Sequence, residues 1–468
     1  MKKYNNLYGL RVHFIGIGGI SMSGLASIVL SRGGFVQGSD LNSNKEIDRL
    51  VSMGACFLGN HDEKNIDKSI DLVVYSSAIS SDNPELKRSK DLNIKIMERA
   101  EFLGLIASTY QRTIAVAGTH GKTTTTAMIS EIFTLAGLNP TIHLGGESIG
   151  LKGNTIIGGE KYFIVEACEY KESFRFLYPY IGLITNIEAD HLDYYKDYND
   201  IRNAFLRFAS RSTSLISLCQ DNIEHEEGIT IFGDWEARNI EFIYNGYSFN
   251  VYFKKQSIGT FRINMLGIHN VTNALFSIAT AYLCGIDIDI IERALANFQG
   301  VERRYETVRL FDSGCRVIID YAHHPTELKA SIEGLKDVYS KALYVFQPHT
   351  YSRTLRLFSE FLEILEPLDN LIIFDTYPAR EEVVIGGRAI DLYEELKLRK
   401  NKKNSVQNLQ YFDSVEDLDK FIINSKKDFD CILVLGAGDL AEKLKRKYAN
   451  AWKFCAKVLT NESKSYKI

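Results

Sequence analysis

The sequence predicts an α/β protein of three domains, and three observations support this prediction. The chain has 468 residues, which is too long for one hydrophobic core. Short β-rich runs alternate with helical patterns along most of its length. The β-rich runs are continuous apolar stretches between turn residues, as is typical of strands buried on both faces of a parallel sheet.

Two stretches set the domain boundaries: residues 98–112 are typical of a helix and connector before a new strand, and residues 296–306 follow a helix and precede a new β-α series. Residues 269–285 place apolar side chains on one helical stripe and close at Gly285. We place cuts near residues 108 and 301, which gives domains 1–108, 109–301 and 302–468. Residues 215–265 are more β-like and suggest an extra piece of sheet in the middle domain. The nine predicted strands fall at residues 11–19, 71–78, 112–118, 161–167, 181–187, 315–322, 341–348, 370–377 and 431–438.

Composition excludes several classes of protein. Hydrophobic residues make up 45% of the chain and charged residues 24%, with a net charge of -4, so no bulk charge favours nucleic acid or membrane binding. No apolar run reaches the roughly 20 residues of a membrane span, and polar residues interrupt the N-terminus where a signal peptide would be apolar. The seven cysteines are scattered without a C-x-x-C pair, which argues against disulfides or zinc and predicts a cytoplasmic location.

A glycine-rich turn, "GIGGISMSG" at 16–24, follows the first strand. Gly16 and Gly18 allow a phosphate to approach a helix N-terminus, and Ser21 stands where a third glycine is common. Asp40 lies about 20 residues on, where a ribose-binding acid is expected. These features indicate a dinucleotide site. The alternative is a turn that only packs a helix against a strand.

A second turn, "GTHGKTTTT" at 118–126, lies between a predicted strand and helix. It is too short for the common phosphate loop G-x-x-x-x-G-K-[ST], because Val116 stands where the first glycine belongs. The setting is nevertheless that of a phosphate cradle: backbone N–H groups surround phosphate, Lys122 reaches a β- or γ-oxygen, and Thr123 can bind Mg²⁺. The turn therefore predicts a nucleoside triphosphate site.

Polar side chains end the two strands that follow. Glu166 closes one strand, and a polar group closes the next. The carboxyl ends of parallel strands share one edge, so these groups are expected beside the phosphate loop. His191 is then either a metal ligand or an ordinary loop residue. The polar group at the second strand comprises Asn186, Glu188, Asp190, His191 and Asp193.

A third polar cluster ends two strands of the last domain. "DYAHHPTE" at 320–327 and "FQPHTYSRT" at 346–354 both place histidines at strand ends. Their common edge suggests a wall that receives a second substrate. The alternative is a pair of solvated helix caps.

Together these stretches resemble the Mur ligase family. "HFIGIGG", "GTHGKTTTT", "EACE", "TNIEADHLDYY", "HNVTNAL", "DYAHHPTE", "FQPHTYSRT" and "LGAGD" follow one another in the family's order over nearly the whole chain. The family's phosphate loop has the short G-T-x-G-K-[ST] form. The resemblance implies a Rossmann-like N-terminal domain that binds a UDP-sugar, a P-loop ATPase-like central domain with a parallel sheet, and a Rossmann-like α/β C-terminal domain that binds an amino acid.

The resemblance also implies a reaction in peptidoglycan precursor synthesis. The lactyl carboxylate of UDP-N-acetylmuramic acid attacks ATP, and L-alanine then attacks the resulting acyl phosphate. The double-histidine stretch favours this member of the family over its relatives. An alternative is a recycling ligase that joins a preformed peptide to the same sugar nucleotide. Two other functions are less favoured. Oxidoreductase activity would not explain the phosphate loop, and a non-catalytic function would not explain Lys122, Glu166 and His191.

Residue roles follow by resemblance. The implied catalytic residues are Lys122, His191, His323 and Arg353. The implied Mg²⁺ ligands, for two ions, are Thr123, Glu166 and His191. The UDP-sugar is expected at Gly16, Gly18, Gly19, Ile20, Ser21, Asp40, Ser76 and Ser77. ATP is expected at Gly118, Thr119, His120, Gly121, Lys122, Thr123, Thr124, His269, Asn270, Asn273 and Asp320, and the amino acid at Tyr321, His323, His349 and Arg353.

Four positions depart from the family pattern. Cys168 stands where relatives often have Asp, so it receives no metal role. Thr350 replaces a basic residue, which leaves Arg353 as the expected partner of the amino-acid carboxylate. Ala322 and Ser21 stand where glycine is frequent. We expect a monomer or a weak homodimer, with no nucleic-acid or membrane partner.

Overall fold

The computed structural model describes residues 6–151, 153–191, 194–243, 246–336, 338–379, 381–399 and 406–448. The chain forms two compact units. The first contains residues 1–264 and 270–301, and the second joins residues 265–269 to the chain from Glu302 onward. The first unit holds two sheets and the second holds one.

The first sheet is parallel, with strand order β3-β2-β1-β4-β5. Chain order reverses at β1, so the crevice at the carboxyl ends of β1 and β4 is the expected ligand position. The strands are β1 Arg11–Ile15, β2 Phe35–Ser39, β3 Cys56–Phe57, β4 Leu72–Tyr75 and β5 Lys95–Glu98. The helices are α1 Ile20–Ser31, α2 Lys45–Ser52, α3 Pro84–Asp91 and α4 Arg99–Ala107.

The second sheet has the order β15-β14-β13-β12-β11-β10-β6-β9-β7-β8. The strands from β12 to β7 in this order are parallel, whereas β13–β15 form an antiparallel meander and β8 runs antiparallel to β7. Its strands are β6 Arg112–Ala117, β7 Thr141–Ser148, β8 Gly153–Ile156, β9 Tyr162–Glu166, β10 Ile181–Ile184, β11 Ser214–Leu218, β12 Gly228–Ile231, β13 Trp235–Ile243, β14 Gly246–Phe253 and β15 Gln256–Ile263.

Helices pack on this sheet and complete the first unit. They are α5 Lys122–Leu135, α6 Tyr198–Ala209, α7 His269–Leu283 and α8 Ile288–Asn297, although His269, the first residue of α7, belongs to the second unit. A continuous apolar core joins the two sheets of the first unit. Within it Phe14 meets Phe102 edge-on, and Tyr110 stacks on Phe163 with ring centroids 4.8 Å apart.

The third sheet forms the centre of the second unit, with the order β16-β17-β21-β18-β19-β20. All its strands are parallel except β16, which is antiparallel to β17. The strands are β16 Glu306–Leu310, β17 Arg316–Asp320, β18 Ala342–Phe346, β19 Asn370–Phe374, β20 Asn408–Phe412 and β21 Cys431–Leu435. The helices are α9 Pro325–Lys336, α10 Tyr351–Arg356, α11 Phe358–Leu365, α12 Ala389–Arg399 and α13 Val415–Ser425.

The predicted α/β fold class is confirmed, and each of the nine predicted strands is present. The β-like stretch 215–265 is the meander and its neighbours. The predicted cuts at 108 and 301 stay predictions. Among the described residues, no helix combines the length and the apolar character that crossing a bilayer requires. Asp193 and the C-terminal tail from Ala449 lie outside the described residues.

Candidate functional site

The first glycine turn lies at the carboxyl ends of β1 and β4. Gly16 has a φ of +82°, a conformation that favours glycine, and a Cβ at this position would meet Ser76 Cβ at 3.6 Å. Asp40 Oδ2 accepts a hydrogen bond of 2.9 Å from the Gly18 amide. Helix α1 begins at Ile20, directly after Gly19. The structure therefore brings Gly16, Gly18, Asp40 and Ser76 together, with exposed Ser77 next along the chain.

Ser21 makes contacts that the sequence did not reveal. Its Oγ lies 2.9 Å from His143 Nε2 of β7, and Arg99 Nη1 donates to the same oxygen at 3.3 Å. His143 Nδ1 lies 2.9 Å from Thr155 Oγ1. Burial, with a contribution from the Arg99 charge, lowers the pKa of His143 to about 3. This neutral histidine connects the glycine turn to the second sheet.

The phosphate loop begins where β6 ends. Gly118 and Gly121 have φ values of +140° and +80°, and a Cβ at Gly118 would collide with the Thr185 hydroxyl. The loop backbone is fixed to the end of β10: the His120 amide donates to Asn186 Oδ1 at 2.9 Å, and Asn186 Nδ2 donates to the His120 carbonyl at 3.0 Å. The loop is therefore held in one conformation before α5 begins.

Lys122, the first residue of α5, points back to the loop. Its Nζ donates to the carbonyls of Gly118 at 2.6 Å and Thr119 at 2.9 Å, and it lies 2.9 Å from Glu169 Oε2. Burial opposes the charged form, but Glu169 and the other nearby acids raise the pKa of Lys122 above its ordinary value. Lys122 therefore remains an ammonium. Glu169 is the last residue of "EACE" and was missed as a site residue.

The predicted metal ligands Thr123 and Glu166 are adjacent. Thr123 Oγ1 donates to Glu166 Oε2 at 2.9 Å, and the Gly145 amide donates to the same oxygen at 2.9 Å. His191 lies near other acids, with its Nε2 3.4 Å from Glu169 Oε1 and 3.8 Å from Asp190 Oδ2. Hydroxyl and carboxylate oxygens are the donors that Mg²⁺ prefers, so the Thr123–Glu166 pair fits the ion.

The predicted adenine-side residues divide between the two units. In the first unit, Asn273 Nδ2 donates to Asn270 Oδ1 at 3.0 Å, and Thr125 Oγ1 donates to Asn273 Oδ1 at 3.3 Å. The two asparagines thus lie against α5, and Thr124 is buried on the same helix. His269 belongs to the second unit, where its ring stacks near Tyr305 at 6.2 Å.

The predicted amino-acid residues form one cluster in the second unit. The His323 ring lies 5.4 Å from Tyr321 and 5.8 Å from His349, and Arg353 Nη1 lies 3.3 Å from His349 Nδ1. Removal from solvent lowers the pKa of both His323 and His349 to about 4. Both imidazoles are therefore neutral near pH 7, and Arg353 supplies positive charge beside them.

Sequence reasoning missed three neighbours of this cluster. Glu327 Oε2 lies 3.2 Å from His323 Nδ1, the Tyr377 ring stacks on His349 at 5.5 Å, and the Arg303 guanidinium lies 4.7 Å from the Tyr321 ring centroid. Glu327 could have been predicted from the sequence, because it stands four residues after His323 at the start of α9. Tyr377 and Arg303 come from separate loops and carry no local signal.

Asp320 and Thr350 lie at the same edge of the third sheet, where Asp320 ends β17 and Thr350 follows β18. Asp320 is buried, which raises the pKa of its carboxyl, and it accepts hydrogen bonds from the Tyr305 and Ala322 amides and the Ser331 hydroxyl. These hydrogen bonds give Asp320 a structural role in addition to its predicted role in ATP binding. Thr350 has a φ of +65°, a strained conformation for a β-branched residue.

Family models match the chain in three parts. Residues 11–111 match the Mur ligase family catalytic domain, residues 116–281 the Mur ligase middle domain, and residues 303–438 the Mur ligase glutamate ligase domain.

Named relatives match over nearly the whole length. The UDP-N-acetylmuramate–L-alanine ligase of Clostridium tetani is 45% identical over 92% of this chain and 96% of its own. That of Clostridium novyi is 43% identical over 92% and 95%.

Solved structures agree in fold. The UDP-N-acetylmuramate-alanine ligase of Thermotoga maritima has a TM-score of 0.79 and 27% identity, covering 95% of this chain and all of the other. A murein peptide ligase of Psychrobacter arcticus has a TM-score of 0.65 at 24% identity, covering 94% and 98%, and supports the fold alone. With the family models matching well over half of its residues and relatives this similar in sequence, the chain belongs to the Mur ligase family.

Proposed function

We propose that this protein is an ATP-dependent ligase that joins L-alanine to the lactyl carboxylate of UDP-N-acetylmuramic acid, with release of ADP and phosphate. The observation that carries this proposal is the 41–45% identity, over 92% of the chain, to ligases named for this reaction. The geometry is compatible, since a phosphate loop with an ammonium lies beside a hydroxyl–carboxylate pair. The reaction belongs to peptidoglycan precursor synthesis, and we expect it in the cytoplasm.

The first half-reaction transfers a phosphoryl group. The lactyl carboxylate attacks the γ-phosphorus of ATP, the bond from this phosphorus to the β,γ-bridging oxygen breaks, and the products are ADP and an acyl phosphate. Two anions repel each other, so positive charge must lie between them. Lys122 supplies an ammonium at the loop, since Glu169 and the other nearby acids raise the pKa of Lys122. Mg²⁺, for which we propose up to two ions, would be held by Thr123, Glu166 and His191 and would add charge neutralisation when bound.

The second half-reaction forms the amide. The ammonium of L-alanine loses a proton, the free amine attacks the acyl carbon, and phosphate leaves from the tetrahedral intermediate as the nitrogen gives up a second proton. Arg353 is suited to bind the alanine carboxylate through its planar guanidinium. His323 and His349 are neutral near pH 7, so they do not repel the incoming amino group in its ammonium form. The cluster thus offers the Arg353 cation to the carboxylate of L-alanine and the uncharged rings of His323 and His349 to its amino group.

The recycling ligase is the second candidate. It shares the phosphate loop and the sugar nucleotide, and it differs in the amine substrate. Eight relatives at 41–45% identity are named for L-alanine, which favours the single amino acid.

Phosphate release from ATP and Mg²⁺ tests both candidates. The assay contains UDP-N-acetylmuramic acid with L-alanine, glycine, L-serine or a tripeptide in parallel. Release that needs both the sugar nucleotide and L-alanine supports the proposal. Release with the tripeptide alone identifies the recycling ligase, and release with none of them refutes both.

A further inference from the structure

One buried carboxylate contacts both Lys122 and His191. Glu169 Oε2 lies 2.9 Å from Lys122 Nζ, and Oε1 lies 3.1 Å from Nζ and 3.4 Å from His191 Nε2. The Glu169 side chain is only 2% exposed. Such a buried charge is costly unless it is paired, so the three side chains depend on one another. Lys122 and His191 together keep the pKa of Glu169 below its ordinary value despite burial.

The backbone around Glu169 is fixed to the loop that carries His191. The Tyr195 hydroxyl, itself buried, donates to the Glu169 carbonyl. The Tyr195 amide donates to the His191 carbonyl at 2.9 Å. Glu169 and His191 are therefore tied through Tyr195 as well as through their side chains, and the carboxylate has little freedom to move away.

The ammonium of Lys122 has three N–H donors, and the structure directs them to Gly118, Thr119 and Glu169. A phosphate oxygen that binds Lys122 must replace one of these acceptors. The two carbonyls belong to the fixed loop, so they orient the ammonium, while Glu169 holds the ammonium close to His191.

We propose that Glu169 is a positioning residue of the ligase reaction, which holds the ammonium of Lys122 and the imidazole of His191 in one preset arrangement. Glu169 acts through these two side chains and needs no contact with substrate. The expected effect of Glu169 on turnover rests on the ligase activity proposed above. The structural part of the inference, the restraint of Lys122, is independent of that activity.

Two variants and one control test the role. Glu169→Gln keeps the shape and one oxygen acceptor but removes the charge, whereas Glu169→Asp keeps the charge on a shorter side chain. The control is Glu236→Gln, which removes a carboxylate paired at 2.7 Å with Arg238 on the surface of the same unit. Thermal unfolding of all variants verifies that each is folded.

The first readout is amine labelling of the nucleotide-free protein by an N-hydroxysuccinimide ester, quantified at Lys122 by mass spectrometry relative to exposed Lys68. The Lys122 side chain is 14% exposed, so slow labelling is expected in the unaltered chain. Glu169→Gln should raise the Lys122 labelling rate several-fold, because the side chain loses its charged acceptor, leaves the loop more often and meets the reagent as the free amine. The Asp variant and the Glu236→Gln control should stay closer to the unaltered protein.

The second readout is turnover. For Glu169→Gln we expect kcat to fall by about 10- to 100-fold, as is usual for groups that orient a site, with KM for L-alanine unchanged and partial recovery in Glu169→Asp. Labelling of Lys122 within twofold of the unaltered protein, or unchanged kcat, would overturn the inference. Absence of alanine-dependent turnover in the unaltered protein would instead overturn the ligase proposal, and the labelling ratio would still decide whether Glu169 restrains Lys122.

Discussion

The hydroxyl of Thr123 donates a hydrogen bond of 2.9 Å to Glu166 Oε2, across the gap between the phosphate loop and β9. The two residues are separated by 43 positions in the chain and meet because β6 and β9 are adjacent parallel strands, with Val116 opposite Glu166. This contact joins the two oxygen donors expected to hold Mg²⁺ beside the triphosphate.

Thr123→Val should reduce ligase turnover by at least about 100-fold, since it removes an expected ligand of the ion while keeping the side-chain volume. Thr123→Ser retains the hydroxyl and should keep most activity. Turnover measured over a Mg²⁺ titration checks this. Equal activity of the Val and Ser variants would show that the hydroxyl is not needed.

Lys122→Ala should lower ADP formation by about 10³-fold, because the ammonium that offsets phosphate charge is lost. Binding of UDP-N-acetylmuramic acid, measured by calorimetry, should be preserved, since its expected turn follows β1. Lys68→Ala, at an exposed position, is the control. Simultaneous loss of sugar-nucleotide binding would contradict separate nucleotide sites.

Arg353→Lys should raise KM for L-alanine by about 10-fold, because an ammonium cannot form the paired hydrogen bonds of a guanidinium with a carboxylate. KM for ATP should change little. Arg356→Lys, an exposed position on the same helix α10, provides the matched control. Steady-state kinetics with each substrate varied will check this, and a rise confined to KM for ATP would assign Arg353 to the other substrate.

Gly118→Ala should destabilise the first unit by about 1–3 kcal/mol, since its Cβ would collide with the Thr185 hydroxyl at a φ of +140°. Gly137→Ala separates the cost of backbone strain from the cost of the collision. Gly137 also has a positive φ, of +71°, but has open space around its Cβ position. Urea unfolding measures both. Equal losses in the two variants would mean that backbone strain alone sets the cost.

His143 should make the protein less stable as pH falls. Its pKa is about 3 in the folded state and near 6.5 when unfolded, so between these values the unfolded chain binds the extra proton. The free energy of unfolding should therefore decrease below pH 6.5, by up to about 1.4 kcal/mol per pH unit from this group. The decrease should be smaller in His143→Gln.

Urea unfolding of the unaltered protein and His143→Gln at pH 7, 6 and 5 measures the difference in slope. His323 and His349, whose pKa values are also lowered, act in the same direction in both proteins and therefore cancel in the comparison. Parallel slopes would show that His143 does not titrate in this way.

The sequence alone determined the nine main strands, the short phosphate loop and the groups expected at the strand ends. Continuous apolar runs and glycine turns are local signals, and parallel strands bring their carboxyl ends to one edge. For this reason Thr123 and Glu166 could be paired in advance, and Tyr321, His323, His349 and Arg353 could be expected together.

Only the tertiary structure decided which distant side chains complete these groups. Glu169 reaches Lys122 because the turn after β9 folds back over the phosphate loop, and His143 reaches Ser21 because β7 packs against α1. Such contacts depend on packing between segments far apart in the chain, which no local pattern encodes. The sequence specified the chemistry at the strand ends, and packing selected the partners that hold it in position.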